Sequence, residues 1–108
     1  MISSNMDTQI LEEVKIDEKI VKQVIEPGKY NVIFFNDNVT PMEWVVEILQ
    51  KIFRHSEQTA QNLMLIVHEK GSAVVGTYGF EIAEQKAVES NMASRERGFP
   101  LQVKVEAE

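Results

Sequence analysis

A strand that is apolar on both faces is the feature that most constrains the fold of this chain. Residues 30–36 are rich in aromatic and β-branched types, and the run Val32-Ile33-Phe34-Phe35 leaves no polar position for solvent. Such a strand is typical of the centre of a sheet, where at least one face is covered by other elements. The rest of the chain must therefore supply two neighbouring strands and a helical cover.

The elements after this strand provide both. They are predicted, in chain order, as a helix over 40–53, a helix over 56–71, a strand over 72–78, a helix over 79–97 and a strand over 101–105. The last three form a crossover unit, whose right-handed connection makes its two strands parallel. We therefore predict an α/β (α+β) domain of order β-α-α-β-α-β, with a three-stranded antiparallel or mixed sheet. The first strand is expected to be central and antiparallel to both neighbours, with three helices on one face.

End signals and helical spacing define the helices. Thr40 suits the N-cap of the first helix, Pro41 its first position, and Glu43 completes a capping box. Ser56 is the predicted N-cap of the second, and Gly98 a plausible stop for the third. The predicted buried positions are Met42, Val45, Val46, Leu49, Ile52 and Phe53, then Ala60, Leu63, Met64 and Val67, then Phe80, Ala83, Ala87, Val88 and Met92.

Two regions are predicted, a flexible N-terminal extension over residues 1–28 and a folded domain over residues 29–108. The extension is polar and acidic, and it ends in the turn signal Glu26-Pro27-Gly28. A mostly disordered segment is the main interpretation. A short amphipathic helix is the alternative, because apolar residues are scattered through the segment: Ile10, Leu11, Val14, Ile16, Ile20, Val21 and Val24.

Composition excludes several classes of function. The formal net charge is -6 at pH 7, which argues against nucleic-acid binding, since such surfaces are basic. The chain has no cysteine, so it forms no disulfide and has no thiolate nucleophile. No apolar run approaches the roughly 20 residues of a membrane span, and the N-terminus lacks the pattern of a secretory signal. We therefore expect a cytoplasmic protein with no membrane contact.

Catalytic and metal-binding patterns are also missing. His55 and His68 have no cysteine partner and do not make a zinc motif. No nucleophile, base and orienting group can be identified together around Ser56, and there is no glycine-rich phosphate loop. The stretch Asn36-Asp37-Asn38 lacks the glycine and glutamate of a calcium loop. We therefore predict a protein that is not an enzyme and that uses no cofactor or metal.

The three polar residues at the end of the central strand allow two interpretations. Asn36, Asp37 and Asn38 could form an Asx-type turn that leads into the first helix, which is the commoner role. They could also provide acceptors at the mouth of an apolar slot, because the predicted fold brings other residues to this edge: Met42, Val45, Met64, Val67 and His68. Such a slot suits the free α-amino group of a peptide, whose three donors and positive charge need acceptors placed in advance.

Motifs spread over roughly residues 29–106 carry a resemblance to a known family. They are Asn36-Asp37-x-x-Thr40-Pro41-Met42-Glu43, Leu63-Met64-x-x-Val67-His68, Gly76, Glu81-x-Ala83-Glu84-x-Lys86 and Pro100-Leu101. In order and spacing, this set closely resembles the ClpS adaptors of bacterial Clp proteases. The resemblance implies a protein that binds N-degrons beginning with Leu, Phe, Tyr or Trp and delivers them to a ClpA- or ClpC-type AAA+ unfoldase partnered with ClpP in the bacterial cytoplasm. A monomer is the simplest expectation.

The resemblance also implies roles for individual residues. The α-amino group is expected to be bound by Asn36, Asp37, Asn38 and His68, with Asn38 standing where many members carry a second Asp. The side-chain pocket is expected to be formed by Thr40, Met42, Val45, Met64, Val67 and Leu101. Met42 is similar to the family's gate against β-branched first residues. Glu81 and Lys86 fall on the unfoldase-docking positions, and the N-terminal extension resembles the segment that engages the unfoldase during delivery.

One other class of function stays open. The C-terminal domain of the ribosomal stalk protein has a similar small α/β fold, and fold does not fix function. The alternative is therefore a structural or assembly module without N-terminus recognition. Such a module has no reason to carry Asn36, Asp37 and His68 around a slot.

Overall fold

Two segments near the N-terminus pair as strands in this computed structural model. The structure describes residues 10–16, 19–25 and 28–108, and it describes side chains from residue 28 onward. Strands β1 (Ile10–Ile16) and β2 (Lys19–Ile25) are antiparallel. The alternative of an amphipathic helix is therefore wrong over these two ranges. The main interpretation, a mostly disordered segment, is also replaced there by strands. Both are rich in Ile and Val, whose β-branched side chains favour extended backbone. The remaining extension, residues 1–9, 17–18 and 26–27, lies outside the described residues, and its flexibility stays a prediction.

The second sheet has the predicted order. Strand β3 (Tyr30–Phe35) lies between β4 (Ser72–Tyr78) and β5 (Gln102–Ala107) and is antiparallel to both. Val32 and Phe34 of β3 are completely buried, as expected for a central strand whose helical face is covered. The α+β architecture predicted from the element order is confirmed.

Three helices pack against this sheet. They are α1 (Met42–Lys51), α2 (Glu57–Lys70) and α3 (Phe80–Glu96). The Oγ atom of Ser56 accepts a hydrogen bond from the backbone N–H of Thr59 at 3.2 Å, so the predicted cap of α2 is confirmed. The core between helices and sheet consists of Val32, Phe34, Trp44, Val45, Ile48, Leu49, Phe53, Ala60, Met64, Val67, Val75, Ala83, Ala87, Leu101 and Val103.

The predicted cap of α1 is wrong. The N-cap is Pro41, which has extended backbone angles and makes no side-chain capping bond, so Thr40 and Glu43 do not form a capping box. The physical reason lies in the preceding turn, where the Thr40 hydroxyl donates to the Asp37 carboxylate at 2.7 Å. The hydroxyl therefore serves the turn, and the helix begins one residue later than predicted.

Helix α3 buries a different face from the one predicted. Ala83 and Ala87 are buried as expected, and Ser90 and Ser94 complete the stripe. In contrast, Phe80, Val88 and Met92 are exposed to 39%, 49% and 62%. The two serine hydroxyls donate to carbonyls one turn earlier in the helix, so burying them leaves no unsatisfied donor. Apolarity alone therefore misidentified this face.

Strand β4 contains a bulge at Val75. Its register with β3 shifts between the pairs Val32–Gly76 and Ile33–Val74, which leaves Val75 without a partner in the ladder. The Val75 carbonyl accepts a hydrogen bond from Nε2 of His55 at 2.6 Å. His55 lies in the corner between α1 and α2, so this bond ties the helical corner to the sheet.

Candidate functional site

A turn built around Asp37 follows the central strand. One carboxylate oxygen, Oδ1, accepts hydrogen bonds from the backbone N–H groups of Val39 and Thr40, both at 2.7 Å. The other oxygen, Oδ2, accepts from the Thr40 hydroxyl at 2.7 Å. Asp37 thus forms the Asx-type turn that was one interpretation of this stretch. The turn also holds the carboxylate in a fixed position at the end of β3.

These bonds control the charge of Asp37. Burial raises the pKa of the carboxyl, but the hydrogen bonds from Thr40 and Val39 and the positive charge of Arg95 together lower the pKa below its ordinary value. The group is therefore ionised at neutral pH. A carboxylate has about four acceptor positions, and the turn fills three of them. Asp37 keeps an acceptor for a further donor.

A second hydrogen bond connects the end of β3 to the end of α2. The backbone N–H of Asn36 donates to the carbonyl of Gly71 at 2.9 Å. Gly71 terminates α2 in the left-handed conformation, with φ of 95°, and its own N–H donates to the carbonyl of Val67. A residue with a side chain is strained at this φ. This connection places His68, in the last turn of α2, beside the polar turn.

The two helices and the turn enclose a pocket with an empty volume of about 270 Å³, including its open entrance. We call Val45, Met64, Val67 and Leu101 the pocket floor, because they line the pocket and each is 8% exposed or less. The pocket mouth consists of Asn36, Asp37 and His68, which also line it and are exposed or half-buried. Phe35, Thr40 and Met42 complete the lining. The pocket is therefore an apolar cleft with polar acceptors at its opening.

The structure brings together every residue predicted for this site except Asn38. Asn38 is exposed and does not line the pocket. Phe35 lines it and was missed by the sequence analysis, although its position directly before Asn36 was an available signal. Trp44, which adjoins the predicted pocket residues, is buried in the core and donates from Nε1 to Oγ of Ser94 at 2.8 Å.

The two residues assigned to unfoldase docking have different surroundings. Glu81 is exposed in the first turn of α3. Lys86 is half-buried, and its Nζ donates to the carbonyl of Ile52 at 2.8 Å, just beyond the end of α1. The same ammonium lies 5.8 Å from the ring centre of Phe53 and 5.4 Å from that of Tyr78. Lys86 therefore stabilises the end of α1, and its docking role stays a prediction.

Comparison with known proteins decides the family. The family model described as "ATP-dependent Clp protease adaptor protein ClpS" matches residues 25–104. This chain belongs to the ClpS family. Its sequence is 46% identical over 92 residues to the ATP-dependent Clp protease adapter protein ClpS of Sodalis glossinidius, covering 84% of this chain and 87% of the relative. It is 41% identical over 86 residues to ClpS of Shewanella pealeana, covering 80% and 84% of the two chains.

A solved ClpS structure has the same fold. It is described as Agrobacterium tumefaciens ClpS2 bound to L-phenylalaninamide. The match has a TM-score of 0.74 and 42% sequence identity, and it covers 77% of this chain and 100% of the ClpS2 chain. ClpS proteins are adaptors of the Clp protease system and are not themselves the protease. Family membership favours the adaptor interpretation over the assembly module. Among the helices of the described part of the chain, none combines the length and the hydropathy that a bilayer span requires.

Proposed function

We propose that this chain binds the free N-terminus of proteins that begin with Leu, Phe, Tyr or Trp, and delivers them to a ClpA- or ClpC-type unfoldase for degradation. The observation that carries the proposal is a single pocket that joins a buried apolar floor to a polar mouth. An N-terminal residue offers these two features together, a charged amine and a side chain on the same carbon atom.

The mouth suits the α-ammonium group. The ionised Asp37 supplies the opposite charge and a remaining acceptor position, Asn36 supplies an amide oxygen, and a ring nitrogen of His68 supplies a third acceptor. Three acceptors match the three N–H donors of the amine. Hydrogen bonds to a charged group are worth about 1.5–3 kcal/mol each, so the loss of one acceptor lowers affinity by roughly 10- to 150-fold.

The floor suits a large apolar side chain. Val45, Met64, Val67 and Leu101 are packed in the hydrophobic core, so a ligand side chain meets an apolar surface whose residues are already ordered. Burying a large apolar side chain contributes about 1.5–3 kcal/mol. Met42, which is 43% exposed, borders the entrance, and we expect it to disfavour first residues that are branched at Cβ.

The ligand of the solved relative supports this assignment. L-phenylalaninamide has a free α-amino group and a benzyl side chain, and its amide stands in for the peptide bond to a second residue. It is therefore chemically a minimal N-terminal phenylalanine. The sequence and fold similarity of that ClpS2 to this chain make an N-terminal residue the ligand class that fits this pocket best.

Delivery requires a second surface. We propose that the exposed Glu81, together with Lys86, contacts the N-terminal domain of the unfoldase, and that the N-terminal extension engages the unfoldase during transfer. In this proposal the chain acts as a monomer in the bacterial cytoplasm. Substitution of Glu81 should weaken unfoldase binding and leave peptide affinity unchanged, since Glu81 does not line the pocket.

The deciding experiment is fluorescence anisotropy with a labelled peptide that begins with Phe. Two control peptides differ only at the N-terminus, one acetylated and one beginning with Ile. We expect tight binding of the Phe peptide and loss of binding in both controls, because acetylation removes the charge and Ile is branched at Cβ. Equal binding of all three peptides, or no binding at all, would refute the proposed function.

A further inference from the structure

Leu101 is the one pocket-floor residue that does not lie on α1 or α2. It lies in the segment between α3 and β5. Helix α3 ends at Glu96, and Gly98, two residues later, has φ of 79°. The N–H of Gly98 donates to the carbonyl of Arg95, and the N–H of Phe99 donates to the carbonyl of Ser94, both at 2.9 Å. This pair of bonds is a Schellman motif, which stops the helix and turns the chain. The turned segment then carries Leu101 to the pocket.

The side chain of Arg95 holds this segment from outside. Its Nη1 donates to the carbonyl of Phe99 at 2.9 Å and to the carbonyl of Leu101 at 2.7 Å. Both bonds have a charged donor, which makes them stronger than bonds between neutral groups. The Leu101 side chain, 1% exposed, lines the pocket. Arg95 therefore holds the backbone of this floor residue directly before β5 begins at Gln102.

We propose that Arg95 is a positioning residue for ligand selection: by holding the carbonyls of Phe99 and Leu101, it sets how far Leu101 extends into the pocket. The inference rests on the proposed function, because it concerns which first side chains fill that site. When Arg95 is replaced, the segment relaxes and Leu101 withdraws. The enlarged pocket then leaves an unfilled space beside a small ligand, which costs more affinity than beside a large one.

Arg95 also has an electrostatic effect of opposite sign. Its positive charge acts on Asp37, where it contributes to lowering the carboxyl pKa, and it repels an incoming ammonium. Removing this charge strengthens binding of every N-terminal residue by the same factor. Losing the two hydrogen bonds to the carbonyls of Phe99 and Leu101 weakens binding, and the loss differs among ligands with different first side chains. The two effects are separable by comparing variants with and without the charge.

The test uses the full chain and three peptides that differ only in the first residue, Leu, Phe or Trp. Arg95→Lys keeps the charge but moves the donors, because its ammonium replaces the Nη1 atom that makes both bonds and ends a shorter side chain, while Arg95→Met loses the charge and the donors. Arg97→Gln is the matched control, since Arg97 lies over the Trp44 ring at 4.6 Å, in the same helical end, and does not line the pocket. We expect both Arg95 variants to lose about threefold more affinity for the Leu peptide than for the Trp peptide. Arg95→Met, which lacks the charge, should bind every peptide more tightly than Arg95→Lys by a common factor. The control should stay within about twofold of the parent for all three peptides.

The ratio of affinities distinguishes positioning from a general loss of structure. Partial unfolding lowers the fraction of active protein and therefore lowers the apparent affinity for all three peptides by the same factor. The ratio of the Leu-peptide affinity to the Trp-peptide affinity is then unchanged. An unchanged ratio in both Arg95 variants overturns the positioning role, whether overall affinity falls or rises. If the parent chain binds the peptides and only the ratio test fails, the proposed function stands. If the parent binds none of them, both proposals are overturned.

Discussion

The floor and the mouth of the pocket are held by different forces. The floor residues Val45, Met64, Val67 and Leu101 all belong to the hydrophobic core, so the contacts that form the slot also stabilise the fold. The mouth depends on hydrogen bonds of a turn and a helix end. Thr40 donates to the Asp37 carboxylate, and the backbone N–H of Asn36 donates to the Gly71 carbonyl. Truncating an exposed mouth side chain such as His68 should therefore alter affinity with little cost in stability, whereas Asp37 also holds the turn. Changes at the floor should alter both.

Leu101→Ala should have the largest effect. Truncating a buried Leu costs about 2–5 kcal/mol through lost transfer energy and the cavity left behind. Urea denaturation measures the change, and peptide affinity at a temperature where the variant is folded shows the linked loss of binding. A variant that is as stable as the parent but does not bind would contradict the link between floor and core.

His68→Ala should separate affinity from stability. Loss of one acceptor for a charged donor lowers affinity for a Phe peptide by roughly 10- to 150-fold, while the stability of this exposed position changes by no more than about 0.5 kcal/mol. His55→Ala is the matched control, because His55 holds the Val75 carbonyl and does not line the pocket. It should destabilise the fold and leave affinity unchanged. Thermal melts and anisotropy on the two variants measure both quantities, and the reverse pattern would refute the division into floor and mouth.

The charge of Asp37 should make binding and stability fall together in acid. Burial raises the pKa, but the hydrogen bonds from Thr40 and Val39, with the charge of Arg95, lower it on balance. A lowered folded-state pKa contributes stability that is fully present above the unfolded-state pKa and is lost as the pH falls through the folded-state value. Attraction for the ammonium is lost over that same acidic range. Asp37→Asn should remove this pH dependence from the affinity, and an unchanged acid profile in the variant would assign it to another group.

Asn38→Asp should have the smallest effect. Asn38 is exposed and lies outside the pocket lining, so a new charge there acts through solvent and is worth about 0.2–1 kcal/mol. Affinity for a Phe or Leu peptide should rise by no more than about fivefold. The gain should disappear at high salt, because screening weakens exposed charges. Unchanged or weaker binding at low salt would contradict this prediction.

The parts of the molecule that depend on local pattern were predictable. The two-sided apolar run at Val32–Phe35 predicted the central strand, and the crossover rule predicted that its two neighbours run parallel to each other. Helical spacing placed Met64 and Val67 on the buried face of α2. These features follow from periodicity and chirality, which a single sequence carries in full.

The features that escaped prediction depend on what a side chain meets in space. Ser90 and Ser94 appear polar in the sequence, yet they are buried because each hydroxyl bonds to its own helix. Thr40 has the sequence signature of an N-cap, but its hydroxyl donates to the Asp37 carboxylate and does not cap the helix. Asn38 and Asp37 are adjacent and chemically similar, and only the turn decides that one of them lines the pocket. The pairing of β1 with β2 was not predicted, because the sequence of this region was also compatible with a disordered segment or an amphipathic helix.

Trp44 gives the molecule an optical consequence. It is the only tryptophan in the chain, and it directly precedes Val45 of the pocket floor. The residue is 8% exposed, and its indole N–H donates to Ser94 on α3. Its fluorescence therefore reports on the contact between α1 and α3. Emission should shift to the red when that contact opens on denaturation. A peptide without tryptophan that fills the space beside Val45 should perturb the same emission, so the domain reports both its unfolding and its occupancy without an attached dye.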